Sequence, residues 1–137
     1  MVELRLNIRG NTLNLYSICY KGIDHVSSFL NQAHEKDLDA LGKLFRNLKE
    51  TAENGPIDND LMFGPLRKGL CEFKAGVLRL VGFELPHQII LTHGFFKNSV
   101  KTPKEQIDKG VWLKGEFMVA HQTNALLITE TEQWILQ

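Results

Sequence analysis

From Gly69 to Phe96 the chain alternates apolar runs with tight turns, and this stretch constrains the fold more than any other. Residues 69–74 form a strand-length run, Ala75-Gly76 turns it, and residues 77–83 form a second. Pro86-His87 turns the chain again into residues 88–95. Short apolar runs bounded by Gly, Pro and polar turn residues read as successive antiparallel strands. The third run is apolar at both parities (Ile89, Ile90, Leu91), which predicts a central strand covered on both faces.

Upstream the period changes. Leu4, Leu6 and Ile8 alternate with Arg5, Asn7 and Arg9, Gly10-Asn11 follows as a turn, and Leu13-Asn14-Leu15 opens a second run through Tyr20. This predicts an N-terminal hairpin. From about Asp24, Val26, Phe29 and Leu30, then Leu38, Leu41, Leu44, Phe45 and Leu48, recur at three- and four-residue intervals. That spacing predicts two amphipathic helices, broken near residues 33–35, the second stopped by Asn54-Gly55-Pro56. Lysines and acids mix along its outer face, as on a solvated surface, and imply no function. Thr102-Pro103-Lys104-Glu105 reads as a third helix start, with Thr102 as N-cap and Glu105 completing a capping box. Ile107, Val111, Leu113 and Phe117 give this helix a weak apolar face. In the tail, residues 118–137, a strand at 125–129 and a short helix or frayed end over 130–136 are the expected pieces. Strands and helices in separate runs predict an α+β fold in one domain, residues 1–137, with two N-terminal helices packed on one face of a small antiparallel sheet and a C-terminal helix.

Charge narrows the function. Lys+Arg and Asp+Glu each number 16, yet the halves do not cancel locally. Residues 1–62 carry 7 cationic and 9 acidic side chains, residues 63–104 carry 7 and 2, and residues 105–137 carry 2 and 5. A central block of net +5 between acidic flanks is an electrostatic footprint for a polyanion. Cys19 and Cys71 lack metal-ligand spacing and read as buried small hydrophobes in a reducing compartment. His25, His34, His87 and His121 show no zinc-site pattern, and Ser27, Ser28 and Ser99 sit in no nucleophile elbow. There is no phosphate loop, no apolar run long enough to span a bilayer and no signal-peptide order at the N-terminus. The expectation is a cytoplasmic protein without cofactor or metal.

The residues that carry a resemblance are Gly69-Leu70-Cys71-Glu72-Phe73-Lys74, Val77-Leu78-Arg79-Leu80, His93-Gly94-Phe95-Phe96-Lys97 and Thr102-Pro103-Lys104-Glu105-Gln106-Ile107. In order and spacing they resemble the RelE/HigB toxins, most closely their phage-derived branch, over roughly residues 13–117. The departures are Lys74 where that branch has arginine, Asn98 where it has a second lysine and Leu78 where it has an aromatic residue, with no tyrosine in the basic block. The resemblance implies a RelE/ParE-like fold and the toxin half of a type II toxin–antitoxin pair. It implies a partner antitoxin, commonly a helix-turn-helix protein, and ribosome-dependent cutting of mRNA with no metal. It equally leaves open a ParE-like inhibitor of gyrase, or a relative that binds RNA or protein without cutting.

RNA supplies its own nucleophile in the 2′-hydroxyl, so the protein must align the attack, move protons and stabilise charge on the phosphorane. Under the resemblance, Arg79 holds the scissile phosphate; its plain alternative is an ion pair with Glu72 across the hairpin. Lys74 binds phosphate as a point charge without the bidentate arginine fork. Lys97 neutralises charge or acts as an acid, or else is a solvated strand-end lysine. His93 could shuttle a proton, although parity sets it beside Ile89, Leu91 and Phe95 as a core histidine. Arg67, Lys68, Lys101 and Lys104 are the expected contacts to ribosomal or messenger RNA.

Overall fold

The computed structural model describes residues 1–130. Its elements run β1 (Val2–Arg9), β2 (Asn14–Tyr20), β3 (Ile23–Asp24), α1 (His25–Lys36), α2 (Leu38–Asn54), β4 (Phe63–Pro65), β5 (Cys71–Ala75), β6 (Leu78–Leu85), β7 (Gln88–Phe96), α3 (Lys104–Gln122) and β8 (Leu126–Thr129). All the described strands belong to one sheet of order β4-β5-β6-β7-β2-β1-β8, with β3 paired to β2. The class is α+β as expected, but the sheet is mixed rather than antiparallel. The β5-β6-β7 meander and the β1-β2 hairpin are antiparallel, whereas β2 lies parallel to β7 and β8 parallel to β1. Local periodicity finds strands but does not say which non-consecutive strands pair, and both parallel junctions join such strands.

Helices cover the sheet on both sides. α1 and α2 close one face over Leu15, Phe73, Leu78, Leu80, Ile89 and Leu91. On the other, α3 lays Ile107, Leu113, Phe117 and Ala120 against Leu6, Ile18, Val81, Phe83 and Ile90. β7 is central, between β6 and β2, as its two-sided apolar pattern predicts.

Caps set the helix limits. Asp24 accepts from the Ser27 backbone N–H at 3.0 Å and its hydroxyl at 3.1 Å, starting α1. Asp37 accepts from the Ala40 N–H at 3.1 Å, starting α2, so the break falls just beyond residues 33–35. Gly55 ends α2 at φ 90°, in the region glycine tolerates. The expected capping box at Thr102 does not form. Pro103 takes ψ 142°, remains extended and becomes the residue before α3, with no side-chain cap. The buried face of α3 is Ile107, Gly110, Leu113, Phe117 and Ala120, and Val111 is 36% exposed. Two of those positions are too small to register as apolar spacing. Gly110 packs tightly there: a Cβ would lie 2.8 Å from a Leu70 methyl carbon, which would have to shift. The tail continues α3 to Gln122 and adds β8; the helix or frayed end expected at 130–136 lies, after Glu130, outside the described residues.

Candidate functional site

The exposed β5–β6 turn, Gly76-Val77, lies at the same end of the sheet as the close of β7, where Leu78 pairs with Phe96. Beside it, Arg79, Lys97, Asn98, Ser99 and Val100 complete an open groove of about 500 Å³ with the turn itself. The Lys97 N–H donates to the Val77 carbonyl at 2.7 Å, tying the end of β7 to the turn.

Arg79 is the best-defined group in this groove. Its Nη1 donates to the carbonyls of Gly76 at 2.7 Å and Leu78 at 2.8 Å, and its Nε lies 3.4 Å from Glu72 Oε1. The side chain is 15% exposed and that of Glu72 only 5%. Nη2 makes no hydrogen bond among the described residues. The ion pair expected as the plain alternative is therefore present, and with the two carbonyl bonds it fixes the position of the guanidinium. Glu72 is the residue that sequence reasoning treated only as a hairpin partner. Burial raises its carboxyl pKa, and the cations Lys74, Arg79 and Lys97 oppose that rise. One acid thus sits among three of the four expected catalytic side chains. No sequence signal marked it, because Glu72 alternates with Lys74 on what reads as the polar side of β5, opposite Cys71, Phe73 and Ala75.

Lys74 stands directly opposite Arg79 in the β5–β6 ladder. Its Nζ donates to the Asp60 carbonyl at 2.7 Å, which turns it toward the loop before β4 and into a different groove. Lys74 and Arg79 therefore do not share one cavity.

His93 departs from expectation in two ways. It is 0% exposed and does not line the Arg79 groove. It is also not on the side of Ile89 and Leu91. The register shifts between Val81 and Gly82, so Val81 faces His93 while Gly82 faces Leu91, and Thr92 is the extra residue. A one-residue bulge reverses every later side chain, which sends Phe95 with His93 toward α3. Thr92 Oγ1 donates to the Val81 carbonyl at 3.2 Å and lies 2.9 Å from His93 Nδ1. The hydroxyl and the ring thus share one hydrogen bond. Burial, then the Lys109 ammonium, pushes its pKa down to about 4. A core histidine held neutral is poorly suited to shuttle protons at neutral pH.

The outer cations form a separate patch. Arg67 and Lys68 occupy an exposed 3-10 turn, residues 67–69, with Lys68 at φ 60°. Both help hold the Asp108 carboxyl of α3 below its ordinary value, after its bond to Lys104 at 2.8 Å. Lys101 is exposed on the segment between β7 and α3. Arg67, Lys68 and Lys104 thus gather about Asp108, and Lys101 follows Val100 of the Arg79 groove in sequence. Among the described residues, no three His, Cys, Asp or Glu side chains gather as a metal site, and no helix is long and apolar enough to cross a membrane.

Fold and groove together define an α+β protein whose mixed sheet is covered on both faces and carries cations at the end of its central meander. The family model for phage derived protein Gp49-like matches residues 32–111, more than half of the chain, and the chain belongs to that family. The match runs from within α1 into α3 and contains all eight expected site residues. No curated protein matches the chain.

Proposed function

We propose that this Gp49-like protein is the toxin half of a type II toxin–antitoxin pair and cuts mRNA on the ribosome. The observation that carries the reading is Arg79, held by two carbonyls and a buried glutamate with Nη2 left to an open groove that Lys97 also lines. Fixed cations aimed at developing negative charge require no reorganisation during reaction. The family match, the resemblance to RelE/HigB toxins and the basic block from 63 to 104 support it.

In this reading the RNA 2′-hydroxyl gives its proton to water as its oxygen attacks the adjacent phosphorus, the P–O5′ bond breaks, the departing 5′-oxygen takes a proton from water, and a 2′,3′-cyclic phosphate and a 5′-hydroxyl result. Arg79 binds a non-bridging oxygen and stabilises the phosphorane. Lys97 neutralises the charge that passes to the departing 5′-oxygen. Glu72 is a positioning residue: it orients Arg79 and is too buried to meet substrate. Arg67, Lys68, Lys101 and Lys104 hold phosphates of ribosomal or messenger RNA. The partner antitoxin would cover part of this basic surface.

The test is translation of a defined message in a bacterial lysate with the protein added, and mapping of new 5′ ends by primer extension. Discrete cuts that disappear with Arg79→Ala are expected; an unchanged message contradicts the reading. A second reading, a relative that binds RNA without cutting, is favoured by the internal hydrogen bonds of Arg79 Nη1 and the ion pair of its Nε with Glu72. It predicts ribosome association without new 5′ ends.

A further inference from the structure

A second groove, of about 390 Å³, lies on the other side of the β5–β6 turn from the Arg79 groove, between α2 and the loop that precedes β4. Its floor is apolar, from Ile57, Met62 and Ala75, and Lys43, Arg46 and Lys74 line it. Lys43 and Arg46 are exposed and pair with no acid among the described residues. Glu50, the acid in the lining, accepts from the Asn54 amide at 2.9 Å and keeps its charge, against three cations in the same lining. Asn47, 2% exposed, fixes the wall by donating to the carbonyls of Lys74 at 3.0 Å and Met62 at 3.4 Å.

Two unpaired cations over an apolar floor are the complement of a nucleotide: a flat apolar ring with an anion on each side. A strand leaving Arg79 and Lys97 need only cross Gly76-Val77 to reach this floor. We propose that the α2 groove is a nucleotide subsite, in which a base of the same single strand rests on Ile57, Met62 and Ala75 while Lys43 and Arg46 hold its flanking phosphates. This rests on the RNA-cutting reading and adds to it a way of gripping the strand away from the scissile bond. It also gives a role to cations of α2 that, in sequence, read as a solvated helix face.

The test uses a fluorescein-labelled 2′-O-methyl RNA decamer, which cannot be cut through its own 2′-oxygen. Binding to the full chain is followed by anisotropy as salt is raised. The Lys43→Ala/Arg46→Ala double variant should bind about tenfold more weakly, with the log K against log salt slope lowered by roughly 1.4, about 0.7 for each phosphate no longer neutralised. Met62→Ala should weaken binding several-fold at unchanged slope, because it removes apolar surface under a base and no charge. Both cations are exposed, so their loss should leave the far-ultraviolet circular dichroism unchanged. Wild-type affinity and slope in the double variant, alongside weakened binding by Arg79→Ala, overturn the subsite alone and fit a groove made for an acidic protein segment instead. Absence of decamer binding by the wild type also overturns it, and leaves cutting on the ribosome to the lysate assay.

Discussion

At the scale of single residues, three polar groups carry the predictions, one half-buried and two buried. Arg79 is the first. Loss of one fixed donor to a developing anion typically costs about 100- to 1,000-fold in rate, so Arg79→Ala should cut at least about 100-fold more slowly. It should also destabilise the fold by roughly 1–3 kcal/mol in urea denaturation, since Glu72 is left buried without its nearest partner. Glu72 and His93 then shape the pH profile with opposite signs. Glu72 has a folded pKa raised above 4.5, so its contribution is fully present below that pH and is lost as pH rises. His93 has a folded pKa lowered from 6.5 to about 4, so its contribution is present above 6.5 and is lost as pH falls toward 4. The His93 effect is worth up to about 3 kcal/mol. Urea melts from pH 4 to 8 should show the acid-side loss flattened in His93→Gln and the decline above pH 4.5 flattened in Glu72→Gln. Unchanged profiles in the two variants would contradict these assignments.

At the scale of elements, the bulge at Thr92 has the largest consequence. It turns Gly94 toward α1, where a Cβ would lie 2.1 Å from Phe29 Cδ2, in a clash that no rotamer of the added atom relieves. Gly94→Ala should therefore cost about 1–3 kcal/mol by overpacking, read as a lower urea midpoint and partly restored by Phe29→Leu. The meander, the hairpin and the helix pair were legible in the sequence because each has its own apolar period and its own turn or cap. The side taken by His93 was not, because one inserted residue inverts parity without changing composition. The start of α3 misled for a similar reason: Thr102 has the right chemistry for a cap, but Pro103 stays extended and moves the start one residue on. Strand β4, three residues long, is too short to show any period.

At the scale of the whole molecule, the mixed sheet brings together what the chain order separates. β2 beside β7 places the N-terminal hairpin next to the meander, and three of the seven cations of residues 63–104 (Lys74, Arg79 and Lys97) stand at the β5–β6 turn end of that meander. Arg79 and Lys97 are expected as site residues through motif resemblance, and the fold brings them into one groove. The division of Lys74 and Arg79 between two grooves was not legible, since it depends on a lysine reaching the Asp60 carbonyl. The central claim is that the Arg79 groove transfers phosphorus to the RNA 2′-oxygen. Its most direct test is single-turnover cutting of a labelled message on programmed ribosomes by wild type and Arg79→Ala, with the ends of the product identified. Cuts that leave a 5′-hydroxyl and a cyclic phosphate, at least about 100-fold slower in the variant, are the predicted result. Equal rates in the two proteins, or 5′-phosphate ends, would contradict it.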